Sequence, residues 1–251
     1  MRSRYPSSST LAYSFGPGPL TPAIKAIVIA NVVAFVISLV LPAITLTFGL
    51  RPADIFGRLH LWQPVTYMFL HAGIFHILFN MLGLWMFGVE LERMWGSTYF
   101  VKYYFVCGVG AAMTTVLLSF VPGSFGAQLY YSLTIGASGA LYGILLAYAL
   151  YFPNRPILLY FIFPIPAKYF VAIMGGISLL SSMSGPGGGI AHTTHLGGLV
   201  AGYLYLKGGR ANLNLVSEIQ YRYLKWKINR MRRKFDVYSG GRADDVNRRV
   251  H

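Results

Sequence analysis

Three short runs carry polar groups that an otherwise apolar chain has no packing need for: His71-Ala-Gly-Ile-Phe-His76-Ile-Leu-Phe-Asn80, Gly136-Ala-Ser138-Gly139-Ala-Leu-Tyr142-Gly143 and Ala191-His192-Thr-Thr-His195-Leu-Gly-Gly198. A serine hydroxyl is too weakly acidic to attack an amide unaided and needs a base within hydrogen-bonding reach, which His195 or His192 can supply. The oxyanion formed by that attack needs preorganised donors. The His76 imidazole, the Asn80 amide and the Ser138 backbone N–H are the candidates. Glu90 and Glu92 close the helix that carries His76, and Asp54 lies in a loop, so no carboxylate is expected beside the serine. The expected engine is a Ser-His dyad. Other chemistries lack their residues: there is no His-Glu-x-x-His and no pair of aspartates in an apolar run. The single cysteine, Cys107, has no His or Asp near it in sequence. No metal and no cofactor is expected.

Each feature taken singly has a plainer reading. Gly139-x3-Gly143 and Gly198-x3-Gly202 are small-residue motifs that let helix backbones approach, and a lone histidine in a membrane helix is commonly an interhelical hydrogen-bonding group. Their combination is harder to dismiss once the elements that position them are considered.

The chain has 251 residues, 55% apolar and 11% charged, against about a quarter charged in an ordinary soluble domain. This excludes a typical cytosolic enzyme and points to an integral membrane protein. Charge-free windows, broken at Pro122-Gly123-Ser124 and at Ser181 to Gly189, predict six spanning helices: 24–47, 71–90, 98–119, 136–152, 167–182 and 189–207. The expected fold is an all-α, six-helix membrane bundle with domain limits of 1–21 for an N-terminal segment, 22–208 for the membrane body and 209–251 for a basic tail. His76 lies 14 residues above Glu90, Ser138 lies 15 above Pro153, and His195 lies 12 above Lys207. At about 1.5 Å per residue the three heights agree within roughly 5 Å, so three helices bring them to one layer. The fourth helix is short for a bilayer, which sinks Ser138 below the outer surface. The uncharged, Gly/Ser/Tyr-rich run Ser119 to Thr134 is expected to be irregular, surrounded by protein or by a water-filled cavity.

Six spans put both termini on one side. That side collects 19 of the 21 basic residues, leaving only Arg51 and Arg58 opposite. The positive-inside rule makes it the cytoplasm, and the absence of a targeting segment favours a prokaryotic plasma membrane. Twelve basic residues fall between Lys207 and Arg249. No nucleic-acid-binding module accompanies them, and no nucleic acid partner is expected. Ser217 to Arg233 mixes apolar and basic residues and predicts either a partly helical arm on anionic lipid or a solvated tail that only fixes topology.

The three motifs, in this order and on these helices, closely resemble the signature of the rhomboid intramembrane serine proteases, across about residues 20–208. Trp62-Gln63-Pro64-Val65-Thr66-Tyr67-Met68-Phe69-Leu70 and Glu92-Arg93-x-x-Gly96 also look like the family. The resemblance implies Ser138 as nucleophile, His195 as general base, and His76, Asn80 and the Ser138 N–H as oxyanion hole. It further implies Tyr142 packed beside His195, Gly139 and Gly198 near a helix contact, Glu92 in a structural hydrogen-bond network, and His192 in support; His71, Gly136 and Gly202 belong to the same motifs. The implied substrates are single-span membrane proteins. Helix geometry also favours His195 over His192, because His195 lies about 40° from the centre of the Gly198/Gly202 face and His192 about 100°. Two rivals are an inactive rhomboid-fold protein that binds transmembrane clients, which intact Ser138 and His195 weigh against, and a histidine-relay transporter, which would require a mid-membrane charge that the chain lacks.

Overall fold

The computed structural model describes residues 16–159, 163–182, 191–208 and 225. The chain divides into two compact units, Met1–Leu206 and Lys207–His251. Almost all of the second unit, including the arm expected over Ser217 to Arg233, lies outside the described residues.

The first unit is mostly helical. Helix α1, Pro22–Val40, opens with a proline in its first turn and stops short of the expected residue 47. Pro42 offers no N–H and disfavours helical backbone at Leu41, so the chain restarts as α2, Ala43–Phe48. Ile29, Val33, Val36 and Val40 on α1 are each more than half exposed, a stripe that a water-soluble protein would not leave bare but lipid solvates. Helices α3, Pro52–Arg58, and α4, Gln63–Thr66, make the next segment compact. The buried Gln63 side chain accepts from Arg51 N–H at 3.0 Å and donates to the Thr47 carbonyl at 3.3 Å.

Helix α5, Ile74–Gly83, runs through a single π turn at Leu84–Gly88 into α6, Val89–Trp95. Then come α7, Ser97–Leu118, α8, Ser124–Tyr131, and α9, Ser138–Tyr151. The stretch 119–134, expected to be irregular, therefore holds a helix of two turns. An antiparallel hairpin of β1, Pro156–Leu159, and β2, Phe163–Pro166, corrects the all-α expectation. Its prolines forbid a helix there and are tolerated because both strands are edges. Helix α10, Ala167–Ser182, and a last helix, α11, over 191–208 complete the unit.

Among the described residues, α1, the run Ile74–Trp95 and α7 are long and apolar enough to cross a bilayer, whereas α9 and α10 are apolar but shorter. Lipid is as apolar as leucine, so helices in it associate through close packing and hydrogen bonds. The core reflects this. Tyr67 donates its hydroxyl to the Gly108 carbonyl and Tyr103 to the Gly143 carbonyl, both at 2.7 Å, joining α7 to the 67–69 turn and to α9. A methyl group on Gly198 would overlap the Gly139 carbonyl oxygen, so α9 and α11 meet backbone to backbone.

Candidate active site

The segment leading into α9 is held at two points before the serine is reached. Leu50 and Thr134 exchange backbone hydrogen bonds at 2.9 and 2.8 Å, and Gly136 N–H donates to the Tyr67 carbonyl at 2.9 Å. Gly136 then turns with φ +124°, a backbone conformation that a side chain would strain. Ser138 opens α9. Its backbone N–H is therefore among the first N–H groups of a helix, which have no intrahelical partner and carry the positive end of the helix dipole.

Across the α9–α11 contact, His195 Nε2 lies 2.8 Å from Ser138 Oγ. The other ring nitrogen, Nδ1, is buried and has no hydrogen-bond partner, carboxylate or other, among the described residues. A stacked ring packs against it. Tyr142, one helical turn after Ser138, lies 4.3 Å from His195 between centroids at an interplanar angle of 8°. The Tyr142 hydroxyl accepts a 3.0 Å hydrogen bond from Ser178 Oγ on α10, which is wholly buried. His192 meets His195 edge to face at 5.7 Å.

His76 approaches from α5. Its Nδ1 accepts the Ala72 backbone N–H at 3.3 Å; a backbone N–H can only donate, so in the neutral ring the proton sits on Nε2. That Nε2 lies 2.8 Å from the point where a Cβ on Gly136 would stand, and Ser138 Oγ lies 3.6 Å from the same point. The missing side chain of Gly136 thus leaves a space of about one atom, with a donor at hydrogen-bonding distance and a nucleophile beside it. Asn80, one turn further along α5, donates Nδ2 to the His76 carbonyl at 2.8 Å, and a second N–H remains on that nitrogen. Its Oδ1 is buried without a partner among the described residues.

Ser138, His195, Tyr142, His192, His76 and Gly136 are therefore one cluster, and Asn80 joins it only through its hydrogen bond to the His76 backbone carbonyl. His71 reaches it through a ring contact with His76, 5.0 Å between centroids at 71°. Gly139, Gly198 and Gly202 lie at the helix contact, where Gly202 faces the Cα of Gly143. Glu92 stands elsewhere. Its carboxylate accepts from Thr21 Oγ1, from the N–H groups of Ala23 and Ile24 at 2.8 and 3.0 Å, and from Ser97 Oγ at 2.6 Å. It caps the start of α1. Ser178 was not foreseen from sequence; a lone serine in a Gly/Ser-rich stretch carries no signal until the register of α10 against α9 is known.

Fold and site together define an integral membrane protein whose apolar helices enclose a Ser-His pair. More particularly, the chain belongs to the rhomboid family, since residues 58–210 match the family model of the Rhomboid domain. It is 33% identical over 138 residues to "Rhomboid protein 1, mitochondrial" of Saccharomyces cerevisiae, covering 55% of this chain and 38% of that protein. It is 30% identical over 158 residues to "Rhomboid protease GluP" of Bacillus subtilis, covering 62% and 27%. Against "Rhomboid protease AarA" of Providencia stuartii the identity is 27% over 157 residues, covering 57% and 54%. The chain spans less than two thirds of the length of each of these relatives.

Proposed function

We propose that this protein is an intramembrane serine endopeptidase that hydrolyses peptide bonds in or near the transmembrane segments of single-span membrane proteins. The observation that carries the reading is the 2.8 Å separation of His195 Nε2 from Ser138 Oγ at a level where charged groups are costly. His195 takes the serine proton as Oγ attacks the scissile carbonyl, then returns it to the leaving amine. Water repeats the sequence on the acyl-enzyme, releasing the second product and restoring the serine. Charge develops on the carbonyl oxygen, in the space over Gly136. There the Ser138 N–H, His76 Nε2–H and the second Asn80 N–H act as donors that need no reorganisation at the moment of attack.

The bundle crosses the bilayer six times, through α1, the α5–α6 run, α7, α9, α10 and α11, with both termini in the cytoplasm. At 14 residues, α9 is about 21 Å long, less than the roughly 30 Å hydrocarbon core. This recesses Ser138 from the outer surface, and water reaches it from that side. The test is incubation of the purified, detergent-solubilised protein with a single-span membrane protein, beside Ser138→Ala. Cleavage by the wild type only is expected, with equal thermal unfolding of both proteins. A folded wild type that binds such substrates without cutting them would instead make it an inactive client-binding member of the family.

A further inference from the structure

A second feature lies on the outer face of the bundle, below the Ser-His pair. Helices α9, α10 and α11 part there to leave a groove of about 510 Å³. Its walls are almost wholly carbon: Leu146 and Leu150 from α9, Val171 from α10, and Leu199 and Tyr203 from α11. The floor is opened by the adjacent Gly175 and Gly176 of α10. A Cβ on Gly176 would meet nothing within 4 Å, and one on Gly175 would touch only Leu199 at 3.4 Å. From Lys168 at the start of α10 to Gly176 the groove runs about 12 Å, most of the roughly 15 Å depth of one hydrocarbon leaflet.

Among the described residues that line the groove, Lys168 is the cation. Lys168 Nζ donates to Asn154 Oδ1 at 3.0 Å and lies 5.1 Å from the centre of the Tyr169 ring. Its ammonium has three N–H donors, so these contacts fix its direction and leave donors for an anion. The end of the groove that carries this charge is the end of α9 and α10 remote from Ser138, where a bilayer presents its headgroups. A carbon-lined channel of leaflet depth with a cation at its mouth complements one molecule, a phospholipid with a negatively charged headgroup.

We propose that the groove between α9, α10 and α11 is a binding site for one anionic phospholipid, with an acyl chain along Gly175 and Gly176 and the phosphate at Lys168. The occupant bears on the proposed catalytic centre. Ser178, two residues beyond Gly176, holds the Tyr142 hydroxyl, and Tyr142 stacks on His195. A chain that fills the groove supports α10 at the turn that holds this stack. The proposal rests on the membrane reading of the chain and not on turnover.

The full chain in mixed nanodiscs of phosphatidylglycerol and phosphatidylcholine, titrated with spin-labelled forms of each lipid, tests it directly. Beyond the annular lipid and any lipid at the tail, which all variants share, the wild type should hold one further immobilised lipid that prefers phosphatidylglycerol about fivefold, as one interfacial lysine provides. Lys168→Gln should keep the immobilised lipid and lose the preference. Gly176→Leu should remove that one further lipid, and Ala172→Phe, on the same exposed wall, does so if Gly176→Leu does not fold. Equal immobilisation in the wild type and the groove-filling variants overturns the site. A wild type without headgroup preference, or a preference that survives Lys168→Gln, overturns the anionic assignment. No outcome depends on catalysis, so failure here leaves the protease reading untouched, and an inactive enzyme leaves this one untouched.

Discussion

Two polar places in this apolar bundle are built to opposite rules. Around Glu92, a buried carboxylate accepts from four donors, and the first N–H groups of α1 find the partner that a helix start lacks. Around Ser138, the buried Nδ1 of His195 and Oδ1 of Asn80 have no partner among the described residues. Such atoms cost stability in a folded protein. The first place spends its polar groups on holding helices together; the second leaves an amide oxygen and a ring nitrogen without partners among the described residues. A polar cluster inside a membrane is therefore read by what its atoms leave unsatisfied, more than by its composition.

The contrast fails if the two places respond alike to mutation. Glu92→Ala strands several buried donors and should lower the stability of the folded state by about 3 kcal/mol, measured by thermal unfolding in detergent. His195→Ala should leave the unfolding transition near that of the wild type. A stable Glu92→Ala protein would remove the structural half of the comparison.

Replacing His76 or Asn80 with alanine should reduce kcat on the order of a hundredfold and leave KM nearly unchanged, because the oxyanion exists only in the transition state and the intermediate it resembles. A change confined to KM would make them substrate-binding groups. A smaller effect is expected at Ser178, which reaches His195 only through Tyr142. Ser178→Ala should lower kcat by about tenfold, the equivalent of one hydrogen bond, and Ser178→Thr should restore it. Failure of the threonine variant to rescue a folded protein would deny the positioning role.

The smallest effect belongs to Asp54, outside the spanning helices. Burial alone would push its carboxyl up, but the hydrogen bond and charge of Arg51, with Arg58 and His60 nearby, hold it below its ordinary value of 3.8. A folded-state value lower than the unfolded one contributes stability that is present above pH 3.8 and lost as pH falls through the folded value. Wild type should thus lose more of its thermal stability than Asp54→Asn between pH 5 and pH 3. Parallel losses would show that the Arg51 pair contributes nothing.

The polar residues of the site were legible because each interrupts an apolar run, and counting along helices brought His76, Ser138 and His195 to one level. What escaped has physical reasons. The Leu50–Thr134 bridge and the Gly136 hydrogen bond to Tyr67 join segments far apart in sequence, and no local pattern encodes them. The π turn at Leu84–Gly88 inserts a residue into an unbroken apolar run. Ser178 meets Tyr142 only through the register of α10, and the hairpin at 156–166 was hidden because its prolines resembled an ordinary loop.

Under the proposed function, Ser138 is a nucleophile activated by His195. Labelling with a serine-reactive fluorophosphonate, mapped to residue by mass spectrometry, reports this activation without a substrate. A bond to Ser138 Oγ should form in the wild type and in His192→Ala and be absent in His195→Ala, because an unactivated hydroxyl is a poor nucleophile. Equal labelling of Ser138 in His195→Ala, or labelling of a different serine in the wild type, would show that the Ser138–His195 pair is not the reactive centre.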